Sequence, residues 1–162
     1  MRLFLNSKAA FYPPRPLAAG GEFVCNPCLA KCQEPSATMA AYEMTVTVRT
    51  QYLEDQSAPD RAEYVFAYSV TIKNTGTVAA QLISRHWIIT DANNHVEQVR
   101  GLGVVGHQPL LQPGEQFEYT SGTSLQTPHG SMRGEYFCVA EDGHQFEAPI
   151  PEFALSLPRT LH

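Results

Sequence analysis

Tyr64-Val65-Phe66-Ala67-Tyr68-Ser69-Val70-Thr71-Ile72-Lys73 is the stretch that decides the fold class. Tyr64, Phe66, Tyr68, Val70 and Ile72 occupy every second position, with smaller or polar residues between most of them. Successive side chains of an extended chain point to opposite faces, so this period of two marks a strand with one buried face. The same pattern stands upstream, where Tyr42, Met44, Val46 and Val48 alternate with Glu43, Thr45, Thr47 and Arg49. Between the two lies Leu53–Arg61, LEDQSAPDR, whose Pro59-Asp60 favours a bend.

Downstream, Asn74-Thr75-Gly76 supplies residues that tolerate positive φ and reads as a hairpin loop. Val78 to Thr90 is a third strand carrying the only tryptophan, Trp87, which is expected in the core. Asp91-Ala92-Asn93-Asn94 turns the chain into a short strand, His95 to Arg100. Leu111-Gln112-Pro113-Gly114 leads into Gln116–Ser121, and Gly130 to Ala140 is a further strand closed by Glu141-Asp142-Gly143. Gln145–Ile150 and Glu152–Leu157 read as one strand interrupted at Pro149 and Pro151. Proline removes ladder donors, so this strand belongs at an edge or a bulge. Seven to eight short strands joined by tight turns, without a convincing helix, predict an antiparallel β-sandwich of immunoglobulin or fibronectin type III kind. A closed barrel is the competing arrangement.

The ordered series of motifs resembles the ApaG family. It runs through Tyr64–Ile72, Asn74-Thr75-Gly76, Gln81-Leu82 and Arg85-His86-Trp87-Ile88-Ile89-Thr90-Asp91. It continues through Gly101-Leu102-Gly103-Val104-Val105-Gly106, Gln108-Pro109, Pro113-Gly114-Glu115, Tyr119-Thr120-Ser121-Gly122 and Gly130-Ser131-Met132. The resemblance covers about residues 42–162. It implies a fibronectin type III-like sandwich and an association with cobalt resistance and magnesium efflux in bacteria. Related domains in eukaryotic F-box proteins and a polymerase-interacting protein look like binding modules. Residues 1–38 fall outside the likeness, and Met39 stands where a family member would begin. The segment 1–38 is therefore expected to be disordered or a spurious extension, and 39–162 to be the folded domain.

Hydrophobic residues make up 43% of the 162 residues and charged residues 17%, the balance of a globular chain. Net charge is −5, but residues 1–38 carry +2 and the remainder −7. An acidic body argues against nucleic-acid binding, which needs a basic surface to neutralise phosphates. No apolar run is long enough to insert in a membrane. Pro13, Pro14 and Pro16 break the N-terminus and make it a poor secretory signal, so a cytoplasmic location is expected.

Chemistry-bearing motifs are few. Gly101-Leu102-Gly103-Val104-Val105-Gly106 spells G-x-G-x-x-G, but Pro109 and Pro113-Gly114 follow closely and leave no helix for a dinucleotide site. The residues read instead as a glycine-rich loop between strands, or as a loop whose amides form an anion nest. Gly101, Gly103, Gly106, His107 and Gln108 are the candidate ligand-binding residues. Exposed amides, the Gln108 donor and a cationic His107 suit an anion or an acidic peptide. A bulky residue at Gly103 is expected to spoil such a site while leaving the fold nearly intact.

Cys25, Cys28 and Cys32 offer three thiols without an evident fourth zinc ligand, and Cys138 reads as a buried hydrophobe. His86, His95, His107, His129, His144 and His162 are scattered, and Asp91, Glu141 and Asp142 are acidic turn residues. No metal site or cofactor is expected. Ser84 near His86, and Ser121, form no recognisable nucleophile constellation. The expectation is a non-enzymatic binder of an unidentified protein or anionic small molecule, acting indirectly on divalent cations. The alternative is an enzyme or sensor acting on a phosphorylated small molecule through residues 101–109.

Overall fold

The computed structural model describes residues 4–5 and 40–158. The strands are β1 (Phe4–Leu5), β2 (Met44–Tyr52), β3 (Tyr64–Asn74), β4 (Ala80–Asp91), β5 (Val96–Leu102), β6 (Leu110–Leu111), β7 (Gln116–Leu125), β8 (His129–Ala140) and β9 (Gln145–Ser156). They form two sheets, ordered β1-β7-β3-β2 and β5-β4-β8-β9, with β6 also pairing β4. Every pairing is antiparallel. A β7-β3-β2 layer facing a β5-β4-β8-β9 layer is the immunoglobulin/fibronectin type III-like sandwich that the strand spacing predicts. Of residues 1–38 only Phe4–Leu5 is described, paired with Gly122 and Ser121 of β7. The rest of that segment, with Cys25, Cys28 and Cys32, lies outside the described residues, as does His162.

The alternating residues meet between the layers. Phe66, Tyr68, Val70 and Ile72 of β3 face inward and are buried, as are Phe117 and Tyr119 of β7. Trp87 is 1% exposed. Its ring lies 5.6 Å from Tyr68, 6.2 Å from Tyr136 and 5.9 Å from Phe153, in edge-to-face arrangements. The expected core tryptophan is thus the centre of the aromatic packing. β9 also follows expectation: it is one strand at a sheet edge, and its register with β8 shifts between Met132 and Gly134, opposite Pro151-Glu152.

One turn differs from its reading. Asn74-Thr75-Gly76 is no hairpin loop, because β3 and β4 belong to different sheets. The segment is a corner built around Asn74, itself 1% exposed. The Asn74 side-chain amide donates to the carbonyls of Val78 at 2.9 Å and Leu111 at 2.8 Å, while its oxygen accepts from the Gly76 N–H at 3.0 Å. A buried amide satisfied this fully costs little and fixes the crossing. Gly76 is needed for close approach, since a Cβ there would stand 2.5 Å from the Ala41 carbonyl oxygen. Positive φ plays no part at this corner.

Candidate functional site

The 101–109 segment begins where β5 ends. Gly101 pairs with Arg85 of β4, and both residues face the interior with Trp87 and Val99. A β-bulge between Leu82 and Ser84 shifts β4, after which Arg85, Trp87 and Ile89 share the inner face. The Arg85 guanidinium lies directly over Gly101, where a Cβ would come within 2.9–3.0 Å of its atoms. From there Arg85 Nη1 donates to the carbonyl oxygens of Leu102 at 3.1 Å and Gly103 at 2.6 Å. Hydrogen bonds from a cation are stronger than neutral ones, so this arginine clamps the start of the loop.

Beyond the clamp, Val104 and His107 exchange both backbone hydrogen bonds, at 2.7 and 2.9 Å, around a two-residue tip. Val105 has φ 49° and Gly106 φ 78°, the signature of a primed hairpin turn. Val104 is fully buried and anchors the turn to the core. The Gly103 N–H donates to the Ile83 carbonyl at 2.8 Å, and Gln108 Nε2 donates to the same oxygen, also at 2.8 Å. Gln81 reaches back to the Gln108 carbonyl at 3.0 Å. The His107 ring sits 6.2 Å from Phe117.

This geometry sorts the sequence-predicted residues. Gly103, His107 and Gln108 come together at the neck of the turn, Gly106 stands at its exposed tip, and Gly101 lies apart beneath Arg85. The amides of Val104 and His107 are spent on each other's carbonyls, and the Gly103 amide and the Gln108 side chain are spent on the Ile83 carbonyl of β4. Within the turn, the backbone amides of Val105, Gly106 and Gln108 donate no hydrogen bond to the described residues. The expectation that Gly103 would accept a bulky residue meets a steric obstacle. Its φ is +58°, and a Cβ there would collide with the His107 carbonyl oxygen.

Arg85 is the residue that motif reading passed over. Its signal was present: if Trp87 points inward, so does the residue two positions earlier. Behind it lies a buried polar row. The Tyr119 and Tyr136 hydroxyls are 2.6 Å apart, and Tyr68 hydrogen-bonds Ser121. Burial pushes the Tyr119 and Tyr136 hydroxyls well above the ordinary phenol range, and the Arg85 charge only partly opposes it. Among the described residues no group of three or more His, Cys, Asp or Glu is placed to hold a metal. His86 Nδ1 is 3.0 Å from Glu135 and its Nε2 3.1 Å from Gln98, so both ring nitrogens are engaged and neither is hydrogen-bonded to Ser84.

Residues 54–140 match the model of the ApaG domain family. Protein ApaG of Ralstonia nicotianae is 68% identical over 124 residues, covering 76% of this chain and all of that one. Protein ApaG of Thiobacillus denitrificans is 61% identical over 121 residues, 75% of this chain and 95% of the relative. The crystal structure of the ApaA protein from Bordetella pertussis superposes with a TM-score of 0.74 at 60% identity, covering 75% of this chain and 99% of that one.

Proposed function

The chain belongs to the ApaG family, and from that premise we propose that it is a binding module whose recognition surface is the 103–110 turn. The observation that carries this reading is Val105. A β-branched residue at φ 49° is a backbone outlier, and such strain persists only where the surroundings over-determine it. Here the Arg85 clamp, the Gln108 brace and buried Val104 impose it, so the turn is presented to solvent in one shape. Preorganisation of this kind lowers the entropy cost of binding. Gly106, His107 and half-exposed Leu110 surround the tip, and the unbonded amides of Val105 and Gly106 suit an acidic group on the partner. The module is non-catalytic in this reading, and its effect on cobalt and magnesium handling is indirect, exerted through the partner.

The test is complementation. A strain lacking the gene would be supplied with the full chain or with His107→Asp/Leu110→Asp, which puts negative charge and lost apolar surface at the tip. Wild type is expected to restore cobalt tolerance and the double variant to fail, with the melting temperature of the purified variant close to wild type. Full complementation by the folded variant overturns the proposal.

A further inference from the structure

The sandwich has four lateral sheet edges, and they are not equally protected. β7 is paired by β1 at Ser121 and Gly122, and β9 carries Pro149, Pro151 and a bulge. β2 lies beside β9 and shows Thr45, Thr47, Arg49 and Gln51 outward. β5 has charged Glu97 and Arg100 but no covering strand, proline or bulge: Val96–Leu102 holds seven consecutive pairs with β4 without a register shift. It also bears two large exposed apolar residues, Val96 at 52% and Leu102 at 76%. Natural proteins blunt edges of this kind, and an unblunted one is a template for another strand.

The β4–β5 ladder shows which groups face that edge. The Asp91 N–H donates to His95 O, and the Gly103 N–H to Ile83 O, at the two ends of the ladder. Antiparallel alternation then turns the N–H and C=O of Glu97, Val99 and Gly101 toward β4, and those of Val96, Gln98, Arg100 and Leu102 outward. We infer that β5 pairs antiparallel with β5 of a second copy, with Val99 opposite Val99 on a two-fold axis, joining two four-stranded layers into one sheet.

Self-complementarity in that register carries the inference. The outward-facing backbone groups pair as Val96 with Leu102 and Gln98 with Arg100, the Leu102 carbonyl taking the Val96 N–H on the lone pair that Arg85 Nη1 leaves free. The two exposed apolar residues cover each other on the outer face. On the inner face, Glu97 of each copy stands opposite side-chain-free Gly101, the residue over which the Arg85 guanidinium lies. Arg85 uses Nη1 on Leu102 and Gly103, and its Nη2 takes a partner carboxylate without giving up either bond. Each contact occurs twice, as an isologous interface requires.

The test uses the full chain with Cys25, Cys28 and Cys32 replaced by serine. Directly opposed residues in a non-hydrogen-bonded antiparallel pair have Cα atoms about 4.5 Å apart, within disulfide range, so Val99→Cys is expected to oxidise to a covalent dimer. Sedimentation velocity is expected to show a concentration-dependent dimer for wild type. Gln98→Pro deletes an N–H that faces the edge and leaves the β4 ladder intact, and it should weaken the dimer at least about tenfold with little change in melting temperature. Leu102→Lys serves the same purpose if the proline variant unfolds. A wild type that stays monomeric at hundreds of micromolar overturns the inference. So does a Val99→Cys chain that does not cross-link, or a dimer that the folded edge variants leave unchanged.

Discussion

Arg85 Nη1 lies 2.6 Å from the carbonyl oxygen of Gly103, so one inward-facing cation on β4 holds the neck of the 103–110 turn. That bond ties the turn to the sheet that also holds Trp87. Arg85→Met keeps the stem and deletes the donor. It is expected to cost roughly 1.5–3 kcal/mol in urea denaturation, the range for hydrogen bonds to charged groups. Faster hydrogen exchange at Gly103 and Val104 should accompany the loss, with little change at the distant Asp91–Asn94 turn. Equal acceleration at both turns would mean that the clamp is not local.

Trp87→Ala is expected to cost about 3–5 kcal/mol, as for a large aromatic removed from a close-packed core. In the wild type the single tryptophan should emit at short wavelength and resist acrylamide quenching, because it is 1% exposed. Emission at the wavelength of free tryptophan in the folded chain would contradict the register of β4.

Much of this fold was legible in the chain. The alternation from Tyr64 to Ile72 named the inward face of β3, and Trp87 fixed that of β4. Pro149 and Pro151 placed β9 at an edge. Sheet membership was not legible at Asn74, because its partners are Val78 and Leu111, the second 37 residues away. Local turn chemistry is the same for a hairpin and a corner, and only the distant carbonyl decides between them. The glycine-rich segment is a similar case. Gly103 looked like an open amide, yet Ile83 on the adjacent strand accepts its hydrogen bond. The bulge that places Ile83 there leaves no mark in the local sequence.

Gly103 and Gly106 separate a structural from a surface requirement within one turn. Gly106→Ala meets open space and carries only the cost of a left-handed backbone, about 1 kcal/mol. Gly103→Ala adds a collision with the His107 carbonyl and should cost clearly more. Thermal unfolding of the two variants orders them, and equal melting temperatures would show that the neck relaxes freely.

Tyr42 and Asp142 form an exposed pair whose two groups shift in opposite directions. The Tyr42 hydroxyl donates to Asp142 Oδ2 at 2.5 Å, and this bond holds the carboxyl below its ordinary 3.8 while raising the phenol above 10.0. The contribution from Asp142 is therefore present above the ordinary carboxyl value and is lost as pH falls through the lowered one. That from Tyr42 is present below pH 10.0 and is lost as pH rises through its raised value. Tyr42→Phe should move the Asp142 carboxyl titration upward in a carbon-detected NMR titration. An unmoved midpoint would assign the shift to the His144 amide, which also donates to Asp142.

Cys138 is buried, and burial pushes its thiol up to about 12. Only the thiolate reacts, so the folded chain should protect it at pH 8. With Cys25, Cys28 and Cys32 changed to serine, a disulfide reagent should label one thiol rapidly in urea and almost none in buffer. Rapid labelling of the folded chain would place Cys138 near the surface.

The central claim, that the 103–110 turn is where this protein recognises its partner, meets its most direct test in site-specific photo-crosslinking inside the native host. A photoreactive residue at His107 is expected to give one discrete, reproducible adduct that mass spectrometry identifies. The same residue at Asn93, at the opposite end of β4, should give none. The adduct at His107 should disappear when Leu110→Asp is added. No adduct at His107, or equal adducts at both positions, would contradict the account.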